Sequence, residues 1–159
     1  MVCLTAIQAE GQTFTLQHKN DSLSLLVLDS SSNRDVWKLP YPTFAFATGD
    51  VNGDGVTDAL VGVVKPTRFD HRMARRLFVF QQIHDHVRPL WLGSRLAGEL
   101  FDFSFWDGQL ITLEQETDRS WFIGTYRWDH FGFVMTDCHL RHATRNEAEE
   151  KFELLKNNH

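Results

Sequence analysis

Asp50-Val51-Asn52-Gly53-Asp54-Gly55-Val56-Thr57-Asp58 places oxygen-bearing side chains at alternate positions, interrupts them with two glycines and closes on a further carboxylate. In extended backbone, residues 50, 52 and 54 project to one face. Gly53 and Gly55 let the chain curl, because glycine reaches positive φ without a Cβ clash. The curl gathers Asp50, Asn52 and Asp54 about one point, the backbone carbonyl of Val56 joins from the next turn, and Asp58 reaches back to finish the shell. Ca²⁺ takes ~6–8 hard oxygen ligands at ~2.3–2.6 Å, so this set with a water or two suits it. Mg²⁺ suits it less, since it resists dehydration and demands octahedral geometry. A transition metal suits it least, since no His or Cys lies in the loop. The plain alternative is a pair of overlapping hairpin-turn signals, Asn52-Gly53 and Asp54-Gly55. That reading leaves the carboxylate of Asp58 without a purpose. The loop is not an EF-hand: the twelfth position counted from Asp50 is Val61 and not Glu, and both flanks read as strands.

Outward from the loop, Phe44 and Phe46 share one strand face, and Ala59 to Val64 is apolar on both faces, the pattern of a strand covered from both sides. Leu77 to Phe80 is a similar run, His84-Asp85-His86 a turn, and Val87 to Leu92, with Trp91, a fourth strand. Four strands joined in this way over residues 43–96 have the size of one propeller blade. Residues 97–141 repeat the theme. Phe101, Phe103 and Phe105 alternate with Asp102, Ser104 and Trp106, Asp107-Gly108 is a two-residue hairpin signal, and Leu110–Leu113, Trp121–Trp128 and Phe131–Met135 supply further strands. Residues 12–42 form an incomplete unit of the same kind, with runs at Thr13–Leu16, Leu23–Leu28 and Val36–Leu39. Thr144 with Glu147 makes a capping box, and Ala148, Phe152 and Leu155 form one helical stripe, so residues 144–157 are expected to be an amphipathic helix docked on the body. The expected fold is a single all-β domain over residues 1–159. It consists of antiparallel blade-like meanders, a partial or small propeller, with a short C-terminal helix. The alternative is a closed barrel or sandwich of about ten strands.

Residues Phe46 to Gly62, with the sequence Phe-Ala-Thr-Gly-Asp-Val-Asn-Gly-Asp-Gly-Val-Thr-Asp-Ala-Leu-Val-Gly, resemble an FG-GAP repeat. This is the blade motif of integrin α-subunits and of the VCBS-type bacterial propellers. The resemblance implies that the loop joins the first two strands of a blade. It also implies that Asp50, Asn52, Asp54, the Val56 carbonyl and Asp58 are ligands of a structural Ca²⁺. This chain carries one such loop, where members of that family usually carry several.

Composition narrows the function. Of 159 residues, 42% are hydrophobic and 13% aromatic, as in a folded and not a disordered chain. A net charge of −5 argues against a nucleic-acid partner. No apolar run approaches the ~18–20 residues of a membrane-spanning helix. Cys3 and Cys138 would be able to pair in an oxidising compartment if they approach. The opening Met1-Val2-Cys3-Leu4 lacks the basic and apolar regions of a signal peptide.

Other residues carry weaker signals. Lys65, Arg68, Arg75 and Arg76 lie in a basic stretch and, with Arg95 and Arg127, would make an anion-binding cluster for a carboxylate or an acidic sugar. The opposing reading is a solvated loop that keeps a sheet edge soluble. Trp91, Trp106, Trp121, Tyr126 and Trp128 are candidates for stacking on sugar rings or for packing between sheets. His84 and His86 lack a third metal ligand in sequence reach. Asp129-His130 and the pair Glu114 and Glu116 are acid–base groups without a nucleophile motif. Two functions follow. One is a non-catalytic, calcium-stabilised, exported binding or adhesion module, with a protein or glycan ligand and further copies completing the sheets. The other is a hydrolase acting on a saccharide or another exported substrate.

Overall fold

The computed structural model describes residues 11–93 and 96–159. Among the described residues, short apolar runs separated by turn residues give eleven strands and one helix. In chain order these are β1 (Thr13–Asn20), β2 (Leu23–Asp29), β3 (Arg34–Leu39), β4 (Thr43–Gly49), β5 (Asp58–Lys65), β6 (Ala74–Ile83), β7 (His86–Leu92), β8 (Glu99–Trp106), β9 (Gln109–Gln115), β10 (Trp121–Asp129), β11 (Gly132–Ala143) and α1 (Arg145–Asn157). They form three separate sheets, β1-β2-β3, β4-β5-β6-β7 and β8-β9-β10-β11. Every pairing joins sequence neighbours and is antiparallel. The protein is therefore all-β with one short C-terminal helix. None of the sheets closes on itself, so the closed barrel is not formed.

The period-two alternation of the central strands decides how the sheets stack. Ala59, Val61 and Val63 of β5, with Phe78, Phe80 and Val87, pack against Phe14, Leu26, Leu28 and Leu39 of the first sheet. Leu60, Leu77, Val79 and Trp91, on the opposite face, pack against Leu100, Phe103, Leu110 and Tyr126 of the third sheet. The far side of that sheet, through Ile111, Leu113, Trp121 and Ile123, receives Ala148 and Phe152 of α1. The molecule is thus a stack of three sheets and a helix. β5 lies between two covered faces, which is why Ala59 to Val64 carries no polar side chain. Gly62 is needed there: a Cβ on it would sit 2.7 Å from the Phe44 ring.

Local chemistry sets the ends of the elements. Asp107 (φ 48°) and Gly108 (φ 71°) both take positive φ, as a two-residue type I′ hairpin requires. Thr144 accepts from Glu147 N at 3.3 Å, and Glu147 Oε2 accepts from Thr144 N at 2.9 Å, so the capping box is formed. β11 runs on to Ala143, far beyond the Phe131–Met135 strand expected from the sequence. Its pairing with β10 shifts register three times, so the apolar alternation that marks a strand is broken along it. Among the described residues, no helix is long and apolar enough to cross a membrane.

Candidate metal centre

The stretch from Asp50 to Thr57 connects β4 to β5, and Asp58 opens β5. Gly53 (φ 78°) and Gly55 (φ 81°) supply the two left-handed residues that fold it into a loop. The oxygen side chains then organise the backbone. Asp50 Oδ1 accepts from Gly53 N at 2.8 Å and from Asp54 N at 3.2 Å, and Asp50 Oδ2 accepts from Gly55 N at 2.8 Å. Asn52 Oδ1 accepts from Asp54 N at 3.2 Å, and Asp54 Oδ1 from Val56 N at 2.9 Å. These bonds hold the loop in its curl while each carboxylate retains lone pairs.

Asp58 differs from the others. It is fully buried, and Oδ2 accepts from Val51 N at 2.9 Å. Oδ1 is buried with no hydrogen-bond partner among the described residues. Burial is the main force raising its pKa to about 6, and the charges of Asp54 and Asp50 add to that rise. A buried carboxylate oxygen without a donor is costly, and water or a cation normally meets it. The residues fit Ca²⁺: the donors are all hard oxygens, the loop is acidic, and one anionic oxygen is already desolvated within the electrostatic reach of Asp54 and Asp50, although the three carboxylates do not converge within 4.8 Å of one another. Asp50, Asn52, Asp54, the Val56 carbonyl and Asp58 would hold the ion.

Without a cation, mutual repulsion opposes drawing three carboxylates together. Among the described residues, the one set of three acidic, His or Cys ligand atoms within 4.8 Å of one another lies elsewhere, at Glu116, Asp118 and His142. Nothing in the sequence marks it, because the end of β11 brings His142 to the β9–β10 hairpin only in the folded sheet. Glu116 there is held by Arg141 Nε at 2.9 Å.

The cations considered for an anion site occupy separate places. The Arg75 guanidinium lies between the rings of Phe44 (4.6 Å) and Phe101 (4.5 Å) and donates to the Phe101 carbonyl. Arg76 pairs with Asp70 at 3.0 Å and donates to the Lys65 carbonyl at 3.3 Å. Lys65 stands 4.7 Å over the Tyr41 ring, and Arg68 lies 5.8 Å from the exposed Phe69 ring. Arg127 is exposed on β10 beside the Asp107-Gly108 end of the third sheet. Arg95, like Cys3, falls outside the described residues.

Of the aromatic candidates, Trp91, Trp121 and Tyr126 are core residues, Trp128 packs edge-on to Phe133, and Trp106 is half exposed. Glu114 is fully buried and accepts from Gly98 N and Tyr126 Oη, each at 2.6 Å, and from Thr112 Oγ1. It fastens the segment before β8 to the third sheet, while Glu116 sits at the rim. The two glutamates therefore do not act as a pair. His84 (φ 51°) turns the chain, His86 lies 3.5 Å from Asp35, and Asp129 and His130 contact each other in an exposed turn.

No protein-family model, curated protein or solved structure matches this chain.

Proposed function

We propose that the protein is a non-catalytic, calcium-stabilised binding module that works outside the cytoplasm. The observation that carries this reading is Asp58, fully buried, with one carboxylate oxygen that has no hydrogen-bond partner among the described residues and with the charges of Asp54 and Asp50 near enough to raise its pKa. The FG-GAP resemblance of residues 46–62 supports it. Bound there, the ion offsets most of the loop's negative charge and ties the end of β4 to the start of β5, the strand covered on both faces. Its role is structural, because a shell filled by five protein ligands and water leaves little room for a substrate. Loops of this extracellular kind often have Kd of ~10⁻⁴–10⁻³ M, which suits an exported protein. The ligand we envisage is a protein or a glycan. Further copies of the chain would extend the stack along the open sheet edges.

Thermal melts test this reading. An ion that binds only the folded state adds RT ln(1 + [L]/Kd), ~2.7 kcal/mol at a hundredfold excess and nearer ~1 kcal/mol for a weak site at millimolar calcium. The melt in calcium is expected to lie several degrees above the melt in chelator, with Mg²⁺ a poor substitute. A melt indifferent to calcium up to about ten millimolar, well above the usual range for such sites, overturns the reading.

A further inference from the structure

We propose that the cleft between the third sheet and the Arg72 loop binds a monocarboxylate that carries an apolar body. The cleft encloses about 460 Å³, within the size range of small-molecule sites. Phe122, Met135 and Cys138 line its apolar side, and Arg72, Arg119 and Arg141 line its charged rim. It lies by Glu99, the first residue of β8, whereas the acidic loop approaches Phe105 near the last, so the two sites are at opposite ends of that strand. The proposal therefore stands or falls apart from calcium binding.

The charge pattern selects the ligand. Arg72 is fully engaged: its guanidinium donates to Asp70 through Nε and Nη2 and to Glu99 through Nη1 at 2.7 Å. Arg141 gives only Nε to Glu116, and its terminal nitrogens have no hydrogen-bond partner among the described residues. Both rim glutamates are thus matched by a guanidinium, and the neighbouring carboxylate of Asp118 accepts from Ser120 N at 2.8 Å and Ser120 Oγ at 2.6 Å. The side chain of Arg119 has neither an ion pair nor a hydrogen bond among the described residues. Its backbone fixes its place, with N donating to the Glu116 carbonyl at 3.0 Å, its own carbonyl accepting from Gln115 Nε2 at 3.1 Å, and φ at 69°. One unmatched guanidinium, helped by the spare donors of Arg141, suits a single carboxylate in a bidentate pair. The apolar side adjoining it calls for a hydrophobic tail. A bare phosphate would leave that side unused and bring more charge than the rim can meet.

Saturation-transfer NMR with 4-phenylbutanoate on the full chain in calcium is the test, with acetate and inorganic phosphate as competitors. Transfer to the phenyl protons is expected at millimolar probe, with little displacement by an equal concentration of either competitor. Arg119→Asn removes the guanidinium, and Asn tolerates the left-handed backbone. It is expected to weaken binding by about tenfold or more, as loss of a bidentate charged pair does. Met135→Asp leaves every guanidinium in place, sets a carboxylate on the apolar side at a partly exposed site, and is expected to abolish transfer. Near-ultraviolet circular dichroism establishes that both variants are folded. The proposal is overturned by absence of transfer to the parent protein, by transfer unchanged in either folded variant, or by equal displacement with acetate or phosphate.

Discussion

At Asp58 folding strips water from both carboxylate oxygens while only Oδ2 gains a protein donor. Its pKa rises from the ordinary 3.8 to about 6, chiefly through burial. The native state therefore holds a proton that the unfolded chain has lost between about pH 4 and 6. In chelator this residue makes the fold less stable as pH rises through that window, by about 3 kcal/mol in all. Other carboxylates are shifted the opposite way, Asp35 by the Val87 N–H and Glu147 by the Thr144 N–H, and they mask the effect in a simple pH titration. The difference between the parent and Asp58→Asn isolates it, since the amide oxygen keeps the bond to Val51 N. Urea titrations in chelator should show Asp58→Asn gaining on the parent between about pH 4 and 6. A constant difference across that range would refute the assignment. Calcium needs the ionised carboxylate, so its stabilisation of the parent should grow over the same window and be largely absent from the variant.

At the scale of elements, α1 shows how a local signal and a packing surface divide the work. Thr144 and Glu147 start the helix through reciprocal bonds, both at exposed positions. Thr144→Ala is expected to cost about 1 kcal/mol in chemical denaturation. Phe152 is 1% exposed and sits against the third sheet with Ile111, Leu113 and Ile123. Phe152→Ala is expected to cost about 3–5 kcal/mol and to expose that face. A smaller loss for Phe152→Ala than for Thr144→Ala would mean that the helix does not depend on the sheet. The capping box and the apolar stripe were both legible in the sequence. The full length of β11 was not: an edge strand with bulges and charged residues lacks the apolar runs by which β5 and β9 declare themselves.

Across the whole molecule, the second and third sheets approach closely enough that a small residue is required between them. A Cβ at Gly49 would lie 2.5 Å from the Phe105 ring of the third sheet, and one at Gly62 would lie 2.7 Å from the ring of Phe44, its neighbour in the second sheet, which packs edge-on to Phe103 of the third. Gly49 extends from the second sheet toward the third, so Gly49→Ala forces the sheets apart or an aromatic ring out of its rotamer. A loss of about 1–3 kcal/mol is expected in urea. A neutral Gly49→Ala would show that the stack is looser than these distances imply.

The sequence by itself determined the strands, most of the turns, the capped helix and the all-β class. Each of these depends on residues within a few positions of one another: alternation at β8, Asp107-Gly108 at the hairpin, Thr144 with Glu147 at the helix start. It also marked the oxygen set from Asp50 to Asp58, because one short loop holds every candidate ligand. Only the tertiary structure decided what each charge meets. The stacking of the sheets buried Asp58 and left Oδ1 without a donor, drew Arg75 between two phenylalanines, and set Glu114 under the segment before β8. It also left Arg119 unmatched at the rim of a cleft whose apolar side comes from β10 and β11. A side chain's solvation and partners depend on residues distant in the chain, and local sequence pattern does not encode those distances.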